Sequence, residues 1–514
     1  MMGLCICTVQ SMSQDGFLDP SFGDEGISLC DPTDEIDQGL VVEIAPDGSI
    51  VLGGWTSAQF IPSPILISYG QTGALLPSFG NNGIVVPPFG SSNPVTGLGT
   101  LSDGRLMAVG DGFGISFLAA RFLADGSLDN SFATDGVAEI DFPAGGERTI
   151  SLAVQMDGAS ILVGSVNAPA PNCHDPALCR LLPDGTLDPD FGTAGLVTFH
   201  APGISANQYT SWLTDVVVAP DGALIACGFT STMPFAQWSF FVSKFDAQGT
   251  PDPGFGTMGS AVFNLSPTAD QANSLALLPD GKLLVAGYYS VSGSTDAFLL
   301  RLNADGSPDP SFGNGGTAIF SLPGNDDAWQ SVHWLPDGRI IATGTSGLYI
   351  PDINTPKHPL VARYLENGTL DPTFGNGGYS IIAEDGHSGS AYSAIQADGK
   401  IVIAGTNWEG DDSEVAVYRV LNSPLTAIAE DRVDVPRIYP NPATDHLHLI
   451  WPESLGQAQR VDITDAAGRV VFTRQLSGGL ASPLSLPVAN LATGSYTVRV
   501  TGDRSIACAK FITY

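Results

Sequence analysis

A 14-residue turn motif recurs along the chain and constrains its fold more than any other feature. The motif reads NADGSPDPSFGNGG at residues 303–316, and close copies stand at 123–136, 182–195 and 365–378. Its phenylalanine recurs every 53 to 64 residues, and a glycine follows four positions later in every copy. The seven phenylalanines are Phe22, Phe79, Phe132, Phe191, Phe255, Phe312 and Phe374. Such regular self-similarity indicates a repeat architecture, in which each unit buries its apolar surface against its neighbours.

Two further markers alternate with this motif in a fixed order. One is Asp-Gly followed by an apolar run and a second glycine, as in PDGKLLVAG, and its two glycines are six residues apart in all seven copies. The other is an apolar run that contains a basic or polar residue, as in FLLRLN. Each unit thus has four strand-like runs bounded by Gly, Pro, Asp and Asn. No run has a sustained period of 3.6 residues, so we expect few helices.

Four antiparallel strands in each of seven units predict a seven-bladed β-propeller over residues 14–421. A β-solenoid is the alternative, but its coils are usually shorter and it would need end caps. The array begins within a unit, at DGFLDPSFG (15–23), and ends with EVAVYRV (414–420), a strand that precedes this turn elsewhere. We therefore predict that both ends of the array complete one blade together and leave no exposed edge.

The local patterns suggest how the turns are built. Asp-Gly between two apolar runs predicts type I′ hairpins. The 14-residue motif is predicted to join the last strand of one blade to the first strand of the next, with its phenylalanine wedged between the blades and its aspartate bending the chain. This aspartate is Asp19, Asp129, Asp188, Asp252, Asp309 and Asp371, and Leu76 replaces it in the second copy. A calcium-binding ring of these aspartates is disfavoured, because one carboxylate per blade is too far from the next to share an ion.

The motif LDPxFGxxG resembles the delta-60 repeat, a family of tandem units in bacterial surface proteins. The resemblance covers residues 15–420. It implies an architecture rather than an activity, because the family brings no known catalytic residues.

Residues 422–436 form a predicted linker, and residues 437–514 have alternating strands that predict a small β-sandwich. This segment resembles the type A C-terminal sorting domain of the type IX (Por) secretion system. The resemblance is carried by Tyr439-Pro440-Asn441-Pro442, by DAAGR at 465–469, by LATGSY at 491–496 and by Lys510-Phe511. The implied sorting-signal residues are Pro440, Asn441, Pro442, Gly468, Gly494, Tyr496 and Lys510.

The resemblance implies that residues 437–514 engage the type IX machinery of a Bacteroidetes-type bacterium. In the family the domain is then cleaved, and the cargo is commonly attached to surface lipopolysaccharide. The protein is therefore expected to be secreted or attached to the outer-membrane surface, whereas a plain accessory sandwich is the alternative. Residues 1–13 have a short apolar run and resemble a truncated or atypical signal peptide.

Charge excludes some classes of partner. The formal net charge is −33, and the last 78 residues carry seven basic and five acidic residues, so the remainder carries 13 basic and 48 acidic ones. Such an acidic surface repels phosphate backbones, so we expect no nucleic-acid partner. No stretch approaches the ~18 consecutive apolar residues of a transmembrane segment. We expect a monomer without a cofactor.

The cysteines and histidines show no clear metal or disulfide pattern. Seven scattered cysteines do not form a disulfide framework. Cys173 and Cys179 are the one plausible pair, and whether they form a disulfide or remain thiols is left open. A metal site of these two with His174 lacks a fourth ligand, and His446 with His448 lacks a third.

The sequence lacks HExxH, GxSxG, a P-loop, a usable GxGxxG and the sialidase turn SxDxGxxW. The units differ most after the second glycine of the Asp-Gly marker, in loops predicted to emerge on one rim. These loops hold Trp55, Trp238, Tyr288, Tyr289, Tyr349 and Trp408. Aromatic loops on a rigid scaffold suit glycan or protein binding, so we expect a non-enzymatic binding or adhesion module. The alternatives are aromatics that only cover blade edges, a polysaccharide hydrolase with carboxylates at the central channel, and a structural role in the cell coat.

Overall fold

The structure, a computed structural model, contains only β-strands as regular elements in the residues that it describes. These are residues 15–33, 35–58, 61–90, 94–111, 116–169, 173–201, 209–232, 237–291, 293–348, 357–382, 391–409, 412–423, 437–439, 446–450, 458–465, 469–476, 484–489, 491–492, 494–502 and 506–513. Two compact units result, Met1–Pro424 and Leu425–Tyr514. Residues 1–13, most of the predicted linker, Tyr349, Pro440, Asn441, Pro442 and Gly468 lie outside the described residues.

The first unit contains 28 described strands. They are β1 (Ile27–Cys30), β2 (Asp37–Ile44), β3 (Ile50–Ala58), β4 (Ile61–Tyr69), β5 (Ile84–Val85), β6 (Val95–Thr100), β7 (Leu106–Asp111), β8 (Phe117–Phe122), β9 (Val137–Ile140), β10 (Arg148–Val154), β11 (Ser160–Asn167), β12 (His174–Leu181), β13 (Leu196–Thr198), β14 (Tyr209–Val218), β15 (Leu224–Thr232), β16 (Gln237–Phe245), β17 (Ser260–Phe263), β18 (Asp270–Leu277), β19 (Leu283–Val291), β20 (Ser294–Leu302), β21 (Thr317–Phe320), β22 (Asn325–Trp334), β23 (Ile340–Leu348), β24 (His358–Tyr364), β25 (Tyr379–Ile381), β26 (Ser393–Ile395), β27 (Ile401–Glu409) and β28 (Asp412–Val420).

Strand pairing groups the described strands into antiparallel blades of four. We number these blades as β2–β5 (blade 1), β6–β9 (blade 2), β10–β13 (blade 3), β14–β17 (blade 4), β18–β21 (blade 5), β22–β25 (blade 6) and β26–β28 with β1 (blade 7). Blades 3 and 4 are joined into one sheet by a single parallel bridge between His174 and Thr210.

The blades pack side by side in a ring. The first strand of one blade contacts the first strand of the next, as β2 contacts β6 and β14 contacts β18, so these strands lie nearest the centre. A separate hydrophobic cluster fills each junction between neighbouring blades, including those of blade 7 with blades 6 and 1. The all-β propeller architecture predicted from the repeats is confirmed.

Blade 7 is completed from both ends of the array. β1 pairs with β28, with Ile27 opposite Tyr418 and Cys30 opposite Val415. A further bridge joins Leu18 to Val420. The predicted closure is therefore confirmed, and the edge of β28 is covered by a segment almost 400 residues away in the sequence.

The Asp-Gly hairpins differ from the prediction. In blade 1, the Ala45 N–H donates to the Ser49 carbonyl at 2.9 Å and the Gly48 N–H donates to the Ala45 carbonyl at 2.8 Å. Gly48 has a φ of 85°, whereas Asp47 is not among the residues with positive φ. This is a type I turn followed by a left-handed glycine, the hairpin with a G1 bulge, rather than a type I′ turn. Proline before the aspartate, as at Pro46, favours this turn because its φ is already set.

The 14-residue motif joins the third and fourth strands of one blade, so the predicted link between two blades is wrong. β20 ends at Leu302, β21 begins at Thr317, and the two strands pair with Leu300 opposite Thr317. The repeat period sets the order of the strands but not which strand begins a sheet. Packing of the first strands around the centre decides that, and it places the sheet boundary one strand later.

The motif phenylalanines are almost fully buried, with exposed fractions of 0–3%. Phe312 of blade 5 lies against the turn of blade 6, where a Cβ added to Gly368 would lie 2.9 Å from the ring. Only glycine can occupy that position, whose φ is also positive at 84°. The Gly313 N–H donates to the Asn367 carbonyl at 2.8 Å, so backbone hydrogen bonding also links the two blades here.

A buried arginine holds the motif to the next blade. In β20 the Arg301 guanidinium donates to Asp309 Oδ2 at 2.8 Å, to Ser311 Oγ at 2.9 Å and to the Glu366 carbonyl of blade 6 at 2.6 Å. It also lies 4.8 Å from the centre of the Phe312 ring. The same pairing with aspartate occurs at Arg121, Arg180, Arg363 and Arg419. The basic residue and the aspartate, separate markers in the sequence, are therefore partners.

Hydrogen bonds and the neighbouring cations keep this aspartate ionised. Burial works to raise the pKa of Asp309, but hydrogen bonds from Lys282 and Ser311 and the charge of Arg301 outweigh it, and the pKa is lowered. In blade 7 the same balance, with burial opposed by Ser21, Arg419 and Lys400, brings the pKa of Asp19 to about 2.

Blades 1 and 4 depart from this pattern. In blade 1, Ser68 and Leu76 occupy the arginine and aspartate positions, since the Leu76 N–H donates to the Ser68 carbonyl as that of Asp309 does to Arg301. In blade 4, Lys244 replaces the arginine and pairs with Asp252 at 3.1 Å. Both charges are thus absent together in blade 1. Removing only one partner of a buried pair would leave an uncompensated charge, at a cost of about 3–5 kcal/mol.

The second unit is a sandwich of two sheets. One contains β29 (Arg437–Tyr439), β30 (His446–Ile450) and β33 (Leu484–Pro487), and the other contains β31 (Ala458–Asp465), β32 (Val470–Gln475), β34 (Gly494–Gly502) and β35 (Ile506–Thr513). Side chains from both sheets share one core. Among the implied sorting-signal residues, Gly494 begins β34, Lys510 lies in β35, and the buried Tyr496 donates its hydroxyl to the Ala492 carbonyl at 2.8 Å.

Candidate functional site

The two faces of the propeller carry different connections. On one face lie the Asp-Gly hairpins and the 14-residue motifs, which repeat from blade to blade; we call it the turn face. On the other lie the links between second and third strands and the links between blades; we call it the loop face. The loop-face segments vary in length and sequence. Recognition residues are commonly placed on such variable segments of a rigid scaffold.

The described aromatic residues of the predicted rim lie in strands near the loop face. They are Trp55 in β3, Trp238 in β16, Tyr288 and Tyr289 in β19, and Trp408 in β27, and all are half-buried. Two of them bond within their own blade: Tyr288 Oη donates to Gln271 Oε1 at 2.9 Å, and Tyr289 Oη to Asp296 Oδ2 at 3.3 Å. The structure therefore distributes these residues over blades 1, 4, 5 and 7 and does not bring them together.

Trp238 is part of a row of rings that we call the aromatic ladder, consisting of Trp238, Phe229 and Trp212. Trp238 stacks on Phe229 with centroids 5.2 Å apart and planes 10° apart, and Phe229 contacts Trp212 at 5.7 Å. Arg148 of blade 3 places its guanidinium 5.0 Å from the Trp212 ring centre. Phe229 and Trp212 are direct cross-strand partners and Trp238 is diagonal to Phe229, so one sheet face presents all three rings.

Polar groups surround the inner end of the aromatic ladder at the junction of blades 3 and 4. Side chains alternate along β14, so Tyr209 lies on the face opposite Trp212, where its Oη donates to Asp175 Oδ1 at 2.8 Å and His200 Nδ1 lies 3.2 Å from the same oxygen. His174 Nδ1 lies 2.9 Å from Thr210 Oγ1, and its ring meets Trp212 edge-on. Burial, followed by the charge of Arg148, lowers the pKa of His174, which favours its neutral form at neutral pH. The junction thus combines flat rings with hydrogen-bonding groups of both kinds.

Sequence reasoning identified Trp238 but missed Trp212 and Arg148, and it considered His174 only as a metal ligand. Trp212 lies in the first strand of its blade, within the apolar run SWLTDVVV, where a tryptophan normally belongs to the core. Its indole N–H is buried and has no hydrogen-bond partner in the part of the chain that the structure describes. Only the register of β14 with β15 and the contact of blade 3 with blade 4 place these residues beside Trp238.

The first strands place a second set of titratable groups around the centre of the ring. Thr100 Oγ1 donates to Glu43 Oε1 at 3.2 Å, the Leu275 N–H donates to Asp215 Oδ2 at 2.9 Å, and His333 Nε2 lies 2.9 Å from Ser393 Oγ. Each of these contacts links one blade to the next. Burial raises the pKa of Glu43 to about 7 and that of Asp215 to about 6, and it lowers the pKa of His333 to about 4. Two carboxyl groups near the centre therefore titrate close to neutral pH.

Other buried carboxylates accept hydrogen bonds from the loops between blades. Asp37 accepts hydrogen bonds from the Thr33 N–H and hydroxyl, Asp327 from the Leu322 N–H, and Glu147 from the Phe142 N–H. These side chains stand at the beginning of first strands and satisfy donors of the incoming chain. Burial raises the pKa of Asp37 to about 6, although hydrogen bonds from Thr56 and Thr33 oppose the shift. We assign these groups a structural role.

The question of the cysteine pair is answered by the structure. Cys173 and Cys179 are separate, buried thiols, as are Cys30 and Cys227. Burial raises the pKa of Cys179, so its reactive thiolate is disfavoured. Within the described residues, no group of three or more His, Cys, Asp or Glu side chains is arranged to hold a metal ion.

Comparison with known families agrees with this architecture. Residues 101–132, 174–191, 278–312 and 335–374 match a family described as a domain of unknown function (DUF5122) beta-propeller, and residues 437–514 match the secretion system C-terminal sorting domain. The chain carries DUF5122 propeller repeats and a C-terminal sorting domain. The sorting domain directs the DUF5122 propeller to the type IX machinery, for secretion or attachment at the cell surface. None of the described residues forms a helix of the length and hydropathy that a membrane crossing requires.

The DUF5122 propeller is similar to several solved structures. They include polysaccharide lyase Uly1 (11% identity, TM-score 0.48, 79% of this chain and 97% of that chain) and Sqt1 from Chaetomium thermophilum (13%, 0.40, 79% and 98%). A third is Penicillium chrysogenum alpha-L-arabinanase complexed with arabinobiose (16%, 0.37, 63% and 93%). Sequence identities and TM-scores this low assign no activity to the DUF5122 propeller. No curated protein matches the chain in sequence.

Proposed function

We propose that this secreted propeller is a non-enzymatic binding module and that its aromatic ladder holds a glycan. The observation that supports this most is the row of three rings, Trp238, Phe229 and Trp212, which ends beside Arg148 at the loop face. Two of the rings are half-buried, so their free surface is held in place by the sheet rather than by a loop. Because the rings are already held rigidly, less conformational entropy of the site is lost when a ligand binds.

The chemistry of the junction suits a sugar. The face of an aromatic ring is negative and attracts the C–H groups on the flat side of a pyranose. Hydroxyl groups of the same sugar need donors and acceptors, which Arg148 and His174 supply beside Trp212. Sites for small ligands commonly combine an apolar floor with a few such polar groups.

Removing a ring of the ladder should weaken this binding. We expect Trp238→Ala and Trp212→Ala each to lower the affinity for a glycan, selected first on an array of polysaccharides, by about 10-fold or more, since central aromatic anchors dominate such interfaces. Isothermal titration calorimetry of the full chain measures the effect, and the circular dichroism spectrum tests the fold of each variant.

Trp408→Ala is the matched control. Trp408 is another half-buried tryptophan of the predicted rim, but it lies in blade 7, away from the ladder. It should leave the affinity unchanged. Wild-type affinity in a folded Trp238→Ala variant would disprove the role of the ladder, and ligands found only among proteins would redirect the proposal away from glycans.

A second candidate function is hydrolysis of a polysaccharide at the centre of the ring. The observation that favours it is that two carboxyl groups of first strands, those of Glu43 in blade 1 and Asp215 in blade 4, have pKa values of about 7 and about 6, which suit a general acid and a general base. On this proposal, turnover of polymeric glycans should fall by at least about 100-fold in Glu43→Gln. Because the base Asp215 is ionised above its pKa of about 6 and the acid Glu43 is protonated below its pKa of about 7, activity should peak near pH 6–7. No turnover by the wild-type protein in a reducing-sugar screen would remove this candidate.

A further inference from the structure

Two clefts on the turn face lie at the two junctions that lack the buried arginine. One, of about 380 Å³, lies between blades 1 and 2 and is lined by Ser68 and Phe79 among others. The other, of about 470 Å³, lies between blades 4 and 5 and is lined by Lys244 and Phe255. Ser68 and Lys244 stand where the other five blades have arginine. Each cleft therefore contains the space that a guanidinium group fills elsewhere in the ring.

The carbonyl and the aromatic ring that surround this guanidinium are retained between blades 1 and 2, whereas Leu76 replaces its aspartate. In blades 2, 3, 5 and 7 the arginine donates to a backbone carbonyl two residues before the turn glycine of the next blade, such as that of Glu366 before Gly368. The corresponding residue here is Ala124, before Gly126, and it lines the cleft. Phe79 supplies the ring, and in the other blades the guanidinium lies 4.5–5.0 Å from the centre of that ring.

Two polar groups in this cleft suit a cationic donor: a buried hydroxyl that has no hydrogen-bond partner and a carboxylate that has no ion-pair partner among the described residues. Ser68 Oγ is buried, in a residue that is 1% exposed, and no hydrogen-bond partner exists for it among the described residues. Asp47 lines the same cleft, and no lysine or arginine of the described chain pairs with its carboxylate. Hydrogen bonds from Ser49 lower the pKa of Asp47, so this carboxylate is charged at neutral pH. A buried hydroxyl, a carboxylate without an ion-pair partner among the described residues and an aromatic ring together suit a planar organic cation.

We propose that the cleft between blades 1 and 2 binds a guanidinium group supplied from outside the chain. The group would stack on Phe79 and donate to the Ala124 carbonyl and Ser68 Oγ, with Asp47 as its counter-ion. The cleft volume lies within the usual range for ligand sites. The cleft between blades 4 and 5 does not share this preference, because Lys244 already places a cation there. A free guanidinium compound and an arginine side chain of another protein share this chemistry.

Calorimetry with the full chain tests the proposal, using methylguanidinium and the peptide Gly-Arg-Gly as probes. The wild-type protein should bind at least one probe saturably. Ser68→Arg combined with Leu76→Asp rebuilds the pair found in blade 5, fills the cleft from within and should abolish binding. Asp47→Asn should weaken binding by about 10-fold through loss of a charged partner. Asp280→Asn is the matched control, since Asp280 holds the same turn position in blade 5, where Arg301 fills the space, and it should change nothing.

The outcomes separate clearly. Absence of saturable binding of both probes to the wild-type protein overturns the proposal, as does binding that persists in a folded Ser68→Arg/Leu76→Asp variant. If that variant does not fold, equal affinities of Asp47→Asn and Asp280→Asn overturn it instead. Tighter binding of the peptide than of methylguanidinium identifies a protein side chain as the occupant, and equal or weaker binding identifies a small molecule.

Discussion

Deletion of residues 437–514 should abolish export of the propeller. In a bacterium with a type IX secretion system, the full-length protein should be found outside the cell or on its surface, whereas the deletion variant should accumulate in the periplasm. The reason is that the sorting domain matches this segment and no other. The propeller should survive the deletion, because it forms a compact unit with its own hydrophobic clusters. Immunoblots of fractionated cells and culture medium measure the distribution.

A reporter experiment provides the control. An unrelated periplasmic protein fused to residues 437–514 should be exported, and the same reporter fused to a β-sandwich of similar size should not. Folding of the deletion variant is checked by circular dichroism on the periplasmic protein. If the full-length and truncated chains are found in the same fraction, the tail is a passive domain and the assignment to the cell exterior fails.

Replacement of a single buried arginine should strongly destabilise the propeller. Arg301→Ser removes the guanidinium that links Asp309, Ser311 and the Glu366 carbonyl, and it leaves a carboxylate that is 5% exposed. Loss of one partner of a buried pair costs about 3–5 kcal/mol in the free energy of unfolding. In Arg301→Ser/Asp309→Leu, the combination found naturally in blade 1, more than half of this loss should be recovered. Urea denaturation of the wild type, Arg301→Ser, Asp309→Leu and the double variant completes a double-mutant cycle and measures the coupling free energy between Arg301 and Asp309.

Lys282→Ser is the control for that cycle. Lys282 also pairs with Asp309, at 2.9 Å, but its side chain is 31% exposed, so the change should be below about 1 kcal/mol. Equal destabilisation in the single and double variants would show that the arginine acts through packing alone. The pH dependence gives a second readout. Because the pKa of Asp309 is lowered in the folded protein, its contribution is present above the ordinary value of 3.8 and is lost as the pH falls below it. The double variant should therefore lose less stability on acidification.

Much of the architecture follows from the sequence because repetition reveals it. The recurrence of Phe312 and its counterparts establishes the units, and the broken unit at the two ends predicts the pairing of β1 with β28. The turn glycines follow from local chemistry, since Gly48 and Gly306 have φ values of 85° and 84° that other residues avoid. The sorting domain is recognisable from its sequence alone because its turns and strands are encoded in one contiguous segment.

Contacts between blades decided the features that the sequence did not predict. The boundary of a blade falls one strand later than the repeat suggests, because packing of the first strands at the centre, rather than chain order, selects which strand begins a sheet. The pairing of Arg301 with Asp309 depends on how the strand meets the turn that follows it, and its bond to Glu366 depends on the next blade. From the sequence, Trp212 would be assigned to the core. The register of β14 with β15 instead places it in line with Phe229 and Trp238. Likewise, the structure is needed to align Ser68 with the arginines of the other blades, because residues of two neighbouring blades form the cleft that it lines. Local periodicity thus determined the strands and turns of this protein, whereas its candidate sites arise from side chains that only the closed ring brings together.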